Sequence, residues 1–228
     1  MNTSKAAGRI IGILVLAQAI GGATVNFGLL ASAFAAPGFL VNAAEHSFAV
    51  RVAAFLGIAL GILGVGIAIT AFGVFRQYSR SMALWLFALA VAALSLSAIE
   101  NIHVLSLLSL SEAYSKASVA DRGVFELLRP VYAAGRNSAH YVGLLIAGCT
   151  LLMLYGTLLR FALIPRALAA FGLGAVLLQI IAVAMPIFGH DIVFVMLLPL
   201  GLSQLMLASW LIAKGLPEPV SQRITERS

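Results

Sequence analysis

The sequence predicts an all-α polytopic membrane protein, with six transmembrane helices and a short interfacial helix between the third and the fourth. Three observations carry this expectation. Of 228 residues, 62% are hydrophobic and 10% are charged, against about a quarter charged in ordinary soluble domains. Apolar runs long enough to cross a hydrocarbon core of about 30 Å fill nearly the whole length. They leave no room for a separate soluble domain, so one membrane-embedded unit over residues 1–228 is expected. The runs are continuously apolar, whereas barrel strands would alternate, and only helices and closed barrels satisfy their backbone in lipid.

The first span is expected over about 10–34, after Lys5 and Arg9. Its end, Ala33-Phe34-Ala35 before Ala36-Pro37, resembles a signal-peptidase site. The apolar run is longer than the roughly 7–15 residues of a signal-peptide core, so a retained helix is the preferred reading. A short loop with Pro37, Gly38, Asn42, Glu45 and His46 leads to the second span, about 48–75. Gly57 and Gly61 form a GxxxG pair there, a spacing that lets membrane helices approach closely and carries no chemistry. Arg76 and Arg80 bracket a tight turn before the third span, about 82–110.

The only long connection lies between Ser111 and Ala139. Ser118-Val-Ala-Asp121 reads as a capping box, and Val124, Leu127, Leu128 and Val131 follow helical spacing. These residues predict the interfacial amphipathic helix, an anchor or a lid. The fourth span is expected over about 139–159 and the fifth over about 167–188, with Gln179 inside and Pro186 near its end. Gly189-His190-Asp191 turns the chain into the sixth span, about 192–213, which carries Pro199, Ser203 and Gln204. The tail after Lys214 is polar, and its end is expected to be disordered.

The net charge of +6 does not indicate nucleic-acid binding, because the 14 Lys and Arg residues sit mostly at helix ends. There they orient the protein and meet anionic headgroups, so membrane lipids are the expected partners. Six spans put both termini on one side, with Lys5, Arg9, Arg76, Arg80, Arg160, Arg166, Lys214, Arg223 and Arg227. Arg51, Lys116, Arg122, Arg129 and Arg136 fall on the other. The positive-inside rule therefore predicts cytoplasmic termini. Cys149, the single cysteine, cannot form an internal disulfide.

Three short stretches carry a family resemblance: Arg76-Gln-Tyr-Ser-Arg80 before an apolar helix with a late Glu, Leu159-Arg-Phe-Ala-Leu-Ile-Pro165-Arg166, and Trp210-Leu-Ile-Ala-Lys214-Gly215. With these the chain resembles an uncharacterised bacterial membrane family, domain-of-unknown-function family four-three-eight-six. The resemblance implies a six-helix architecture in a bacterial inner membrane and no reaction. It departs from the family's pattern at Leu202-Ser203-Gln204, where Gly-Glu is expected.

The residues that ask for an explanation lie in Ser95–Leu110, where Glu100, Asn101 and His103 interrupt an apolar helix. An ionisable side chain in hydrocarbon costs a few kcal/mol and usually faces the bundle interior at a functional position. At about 1.5 Å rise per residue, Glu100 is 20 residues from Arg80 and His140 is 20 from Arg160, roughly 30 Å in both cases. By the same counting His103, Arg136, His190, Asp191 and Arg51 fall within a few residues of that depth, with His46 just beyond. All four histidines are thus expected at the outer end.

This clustering predicts an outward-facing polar pocket for a metal or for a small-molecule or lipid ligand. In a metal site, His46, His103, His140 and His190 would supply the imidazoles for zinc, with Glu100 or Asp191 as the base of a lipid or amide hydrolase. Against this, no HExxH or HxxxH pair pins the ligands. The Glu-x-x-His pair at 100–103 lacks the second pair and the further glutamates of a di-iron bundle. In a haem site, two histidines such as His103 and His140 would be axial ligands, with Arg51, Arg136 and Asn137 as cofactor-binding residues. No CxxCH is present, so the haem would be non-covalent. The third reading is non-enzymatic: a transporter, pH sensor or assembly partner whose histidines titrate with outside pH.

A purely structural ion pair of Glu100 with Arg51 or Arg136 would fit the same residues. Gln179 and Gln204 would extend a polar path inward or, more ordinarily, make interhelical hydrogen bonds. Phosphate-binding glycine loops, GxSxG and CxxC are absent.

Overall fold

The computed structural model of the protein describes residues 3–218. The tail's end, where disorder is expected, lies outside the described residues. Among the described residues the chain is helical and contains no strand. Its α-helices are α1 (Thr3–Ala23), α2 (Ala31–Phe34), α3 (Phe39–Asn42), α4 (Ser47–Phe75), α5 (Arg80–Lys116), α6 (Arg122–Arg160), α7 (Arg166–Ala184) and α8 (Leu198–Lys214). Six helical segments are long and apolar enough to cross a membrane: Thr3–Leu29, Ser47–Phe75, Arg80–Lys116, Arg122–Arg160, Arg166–Phe188 and Phe194–Lys214. The protein is an all-α polytopic membrane protein.

Local chemistry explains where the helices change character. After Ala23 the first span widens into a π-helical stretch, Thr24–Leu29, closed by Leu30 N–H donating to the Val25 carbonyl. Thr24 Oγ1 and Asn26 Nδ2 donate to the carbonyls of Ile20 and Gly22, so side chains compete for the ladder's acceptors where it loosens. Pro186 tightens the end of the fifth span into a 3₁₀ turn, Met185–Phe188, and Gly189 takes the left-handed conformation (φ 79°) that ends it. Pro199 occupies the first turn of α8, where a missing N–H costs nothing. The sixth span therefore becomes α-helical only at Leu198, later than the apolar pattern alone suggests.

The interfacial helix expected as a separate element is instead the first part of α6, which runs unbroken for 39 residues. Pro130 lies inside it. A proline removes one backbone donor and kinks a helix, which leaves the flanking turns able to continue. Nor does the capping box form: the Ser118 hydroxyl bonds the Asp121 carboxylate at 2.6 Å instead of the backbone amide. The start of α6 is fixed by aromatic contacts, with Arg122 over the Tyr114 ring at 5.2 Å and Tyr114 edge-on to Phe125. At about 1.5 Å per residue, α5 and α6 each measure roughly 55–60 Å, well beyond a hydrocarbon core of about 30 Å.

The chain divides into two compact units. Unit 1 comprises the described parts of Met1–Ala19, Ile62–Ala93 and Leu144–Ser228, and unit 2 comprises Ile20–Gly61 and Leu94–Gly143. In unit 1 one apolar core joins residues of α1, α4, α5, α6, α7 and α8, including Ile11, Phe75, Leu86, Tyr155, Val176 and Leu211. Small residues permit this closeness. A Cβ on Gly172 would overlap the Tyr155 ring, and one on Gly12 would stand 2.9 Å from the Ala208 carbonyl oxygen. Gln179 donates to the Leu144 carbonyl at 3.1 Å, the ordinary interhelical bond expected of it. Tyr155 donates to Ser203 Oγ at 3.3 Å. Unit 2 has a smaller core around Leu30, Phe39, Val50, Val104, Leu107 and Leu108.

Candidate functional site

Unit 2 holds its polar groups between α4, α5 and α6. The GxxxG pair faces α5: a Cβ on Gly57 would stand 2.8 Å from Asn101 Nδ2, and one on Gly61 would stand 2.7 Å from Leu94 Cδ1. The gap left by Gly57 admits the buried Asn101, whose Nδ2 donates to the Ser97 carbonyl at 2.8 Å. Ser97 Oγ donates to the Gly57 carbonyl at 3.2 Å. On the α6 side, Gly135 makes room for the His103 ring, whose Cε1 would lie 2.9 Å from a Cβ there. Small residues of two helices thus let α5 bring its polar face inward.

Beside Asn101 in sequence, about 100° further round α5, the carboxylate of Glu100 meets α6. Its Oε1 lies 2.8 Å from His140 Nδ1 and accepts from Arg136 Nη2 at 3.3 Å. The three side chains are 21%, 25% and 14% exposed, in the order Glu100, His140, Arg136. Spacing explains the pairing on α6, because residues four apart share a face. The Arg136 guanidinium also lies over the Phe34 ring of α2 at 5.2 Å and reaches Asn137 Oδ1 at 3.3 Å. Its buried Nε has no hydrogen-bond partner among the described residues.

For Nδ1 to donate to a carboxylate it must carry the proton. In the neutral imidazole Nε2 is then left as the acceptor. His140 Nε2 makes no hydrogen bond with a described residue. The Tyr141 ring stands edge-on to the imidazole at 5.5 Å. The arrangement orients one imidazole with a carboxylate and holds that carboxylate against a permanent cation.

The other sequence-selected residues are placed differently. Arg51 pairs with Glu112 at 2.6 Å, its side chain 59% exposed, so of the two arginines only Arg136 pairs with Glu100. His46 is exposed. His103 is half-buried against Gly135. His190 and Asp191 are exposed residues of unit 1. Among the described residues no three of His, Cys, Asp and Glu stand together as a metal-ligand group. Of the four histidines, His46, His103 and His140 belong to unit 2 and His190 to unit 1. Depth along a helix axis fixes height but not azimuth, so counting residues from the helix ends does not select contacts.

Two participants have no sequence signal of their own. Phe34 lies at the end of the first apolar run, in a stretch singled out only for its likeness to a cleavage site, while Glu112 lies past the expected end of the third span. The nearest signal for Glu112 is its helical register with Glu100, 12 residues earlier and close to three and a third turns.

The family described as Domain of unknown function (DUF4386) matches residues 10–215 of the chain. No curated protein and no solved structure matches it.

Proposed function

Because the chain belongs to that family, whose description assigns no activity, we propose a function from the site alone. We propose a non-enzymatic protein of the bacterial inner membrane, with both termini cytoplasmic. Its Glu100–Arg136–His140 site is a proton-responsive contact between α5 and α6, open to the outer side. The observation that carries this reading is the 2.8 Å contact of His140 Nδ1 with a carboxylate oxygen that Arg136 also engages.

Imidazole is the side chain whose charge changes between about pH 5 and 8. Neutral His140 gives Glu100 one hydrogen bond, and protonated His140 adds a charge to it. Neutral His140 already bonds an ionised carboxylate, and an imidazolium there adds Coulombic attraction to the same bond. Glu100 and Arg136 are the charged groups in contact with His140 or with its partner, and His103 and Tyr141 are the other titratable groups on the facing stretches. The positive-inside count of seven described cations at helix ends of unit 1 supports the orientation.

The test is thermal stability of the purified protein at about pH 5.5 and about pH 8, bracketing the imidazole range. His140→Gln keeps an N–H donor and cannot titrate. The wild type is expected to gain more on acidification than His140→Gln, and equal gains in both would contradict the proposal. Metal analysis and an absorption spectrum decide against it in another way. Stoichiometric zinc would restore the hydrolase reading with Glu100 as base, and a Soret band would restore haem ligation by His103 and His140.

A further inference from the structure

A groove of about 730 Å³ runs along unit 1 where α7 and α8 lie side by side. Pro165 and Lys214 line one end, Trp210 the middle, and Phe171, Leu205 and Met206 the other end. From Lys214 to Leu205 is nine residues of α8, about 14 Å at 1.5 Å per residue, close to half of a hydrocarbon core of about 30 Å. The groove therefore has the length of one leaflet. Its floor is apolar and exposed on two segments long enough to span a membrane.

Charge is confined to one end. Lys214 is exposed and forms no ion pair among the described residues. The next residue, Gly215, lies against the backbone of Lys5, so the start of α1 brings a second exposed cation to the same corner of unit 1. Trp210, one turn before Lys214, is the residue type that settles at headgroup level. An apolar channel of leaflet length, with cations unpaired among the described residues and an indole at its wet end, matches a phospholipid whose headgroup carries a net negative charge. A second copy of the chain fits less well, because two copies share one orientation in a membrane. Two-fold pairing across this groove would bring two copies of Lys214 to one depth.

We propose that the α7–α8 groove is a binding site for one anionic phospholipid, with an acyl chain along Phe171, Leu205 and Met206 and the headgroup phosphate on Lys214. The chain has two tryptophans, Trp85 and Trp210. Trp85 is exposed. Trp85→Phe therefore leaves Trp210 as a reporter in the full-length protein. This variant is reconstituted in phosphatidylcholine vesicles with a minor fraction of brominated phosphatidylglycerol, or with the same fraction of brominated phosphatidylcholine.

Quenching by the brominated anionic lipid is expected to exceed its mole fraction about fivefold, the factor equivalent to about 1 kcal/mol per basic residue at the headgroup surface. The zwitterionic lipid is expected to follow its mole fraction. Lys214→Ala should bring the two together, and Lys214→Arg should keep them apart. Equal quenching by both lipids before Lys214 is changed overturns the proposal, as does an anionic excess that survives Lys214→Ala. No quenching by either lipid also overturns it, since the groove is then covered by protein.

Discussion

Unit 1 carries seven described cations, Lys5, Arg9, Arg76, Arg80, Arg160, Arg166 and Lys214, against the carboxylates of Asp191 and Glu218. Unit 2 carries Arg51, Lys116, Arg122, Arg129 and Arg136 against an equal number of carboxylates, Glu45, Glu100, Glu112, Asp121 and Glu126. All seven cations of unit 1 are exposed at helix ends, and none forms an ion pair among the described residues. In unit 2 two of the five are paired, and Arg136 is drawn inside with Glu100 and His140. The same residue types therefore do different physical work. In unit 1 the cations are exposed and unpaired among the described residues, whereas in unit 2 partly buried charges make a contact between particular helices.

If unit 1 is held by apolar closeness, its most sensitive positions are glycines under large rings. Gly172→Leu forces the wholly buried Tyr155 ring to move. Overpacking of this kind costs about 1–3 kcal/mol and sometimes more. We expect it to be the most destabilising of the changes considered, measured as the loss of folded protein on detergent size exclusion. Tolerance of Gly172→Leu would erase the contrast between the units.

In unit 2 the sensitive position is a charge. Glu100→Ala leaves Arg136 without its carboxylate and His140 without its acceptor, a loss of about 1.5–3 kcal/mol for hydrogen bonds to charged groups. The thermal midpoint should fall, and a second change, Arg136→Met, should recover part of the loss, because an apolar replacement removes the stranded charge. No recovery would mean that Glu100 acts through something other than this pair.

Smaller effects sharpen the comparison. Ala162, in the turn after α6, takes a left-handed conformation (φ 49°) that favours glycine. It sits where the Leu163 N–H returns to the Leu158 carbonyl. Ala162→Gly should stabilise the protein by up to about 1 kcal/mol, since a left-handed L-residue costs roughly 1–2 kcal/mol and glycine gives back part of that in unfolded-state entropy. Thermal melts check it. Arg51→Ala, at the exposed pair with Glu112, should change stability by less than about 1 kcal/mol. A large loss there would make the exposed pair, not Glu100, the charged contact that matters.

Six spans are readable from the sequence because each is a continuous apolar run with a cation near at least one end, and GxxxG at Gly57 and Gly61 predicts a close helix approach, which is made with α5. Glu100, Arg136 and His140 are readable as neighbours in height, for they stand at matching distances from Arg80 and Arg160. Which of the candidates at that height would touch was not readable. Contact depends on helix rotation, and rotation here is set by Gly57 and Gly135, whose missing side chains admit Asn101 and His103. The continuity of α6 through Pro130 was also hidden, since a proline beside a polar stretch has the sequence signature of an ending helix.

The central claim is that protonation of His140 strengthens its contact with Glu100. A double-mutant cycle of Glu100→Gln and His140→Gln, run at about pH 5.5 and again at about pH 8, isolates that pairwise term from everything else that titrates. The coupling energy is expected to be favourable at both values and larger at the acid one. A coupling that is the same at both, or absent at the acid value, would contradict the account.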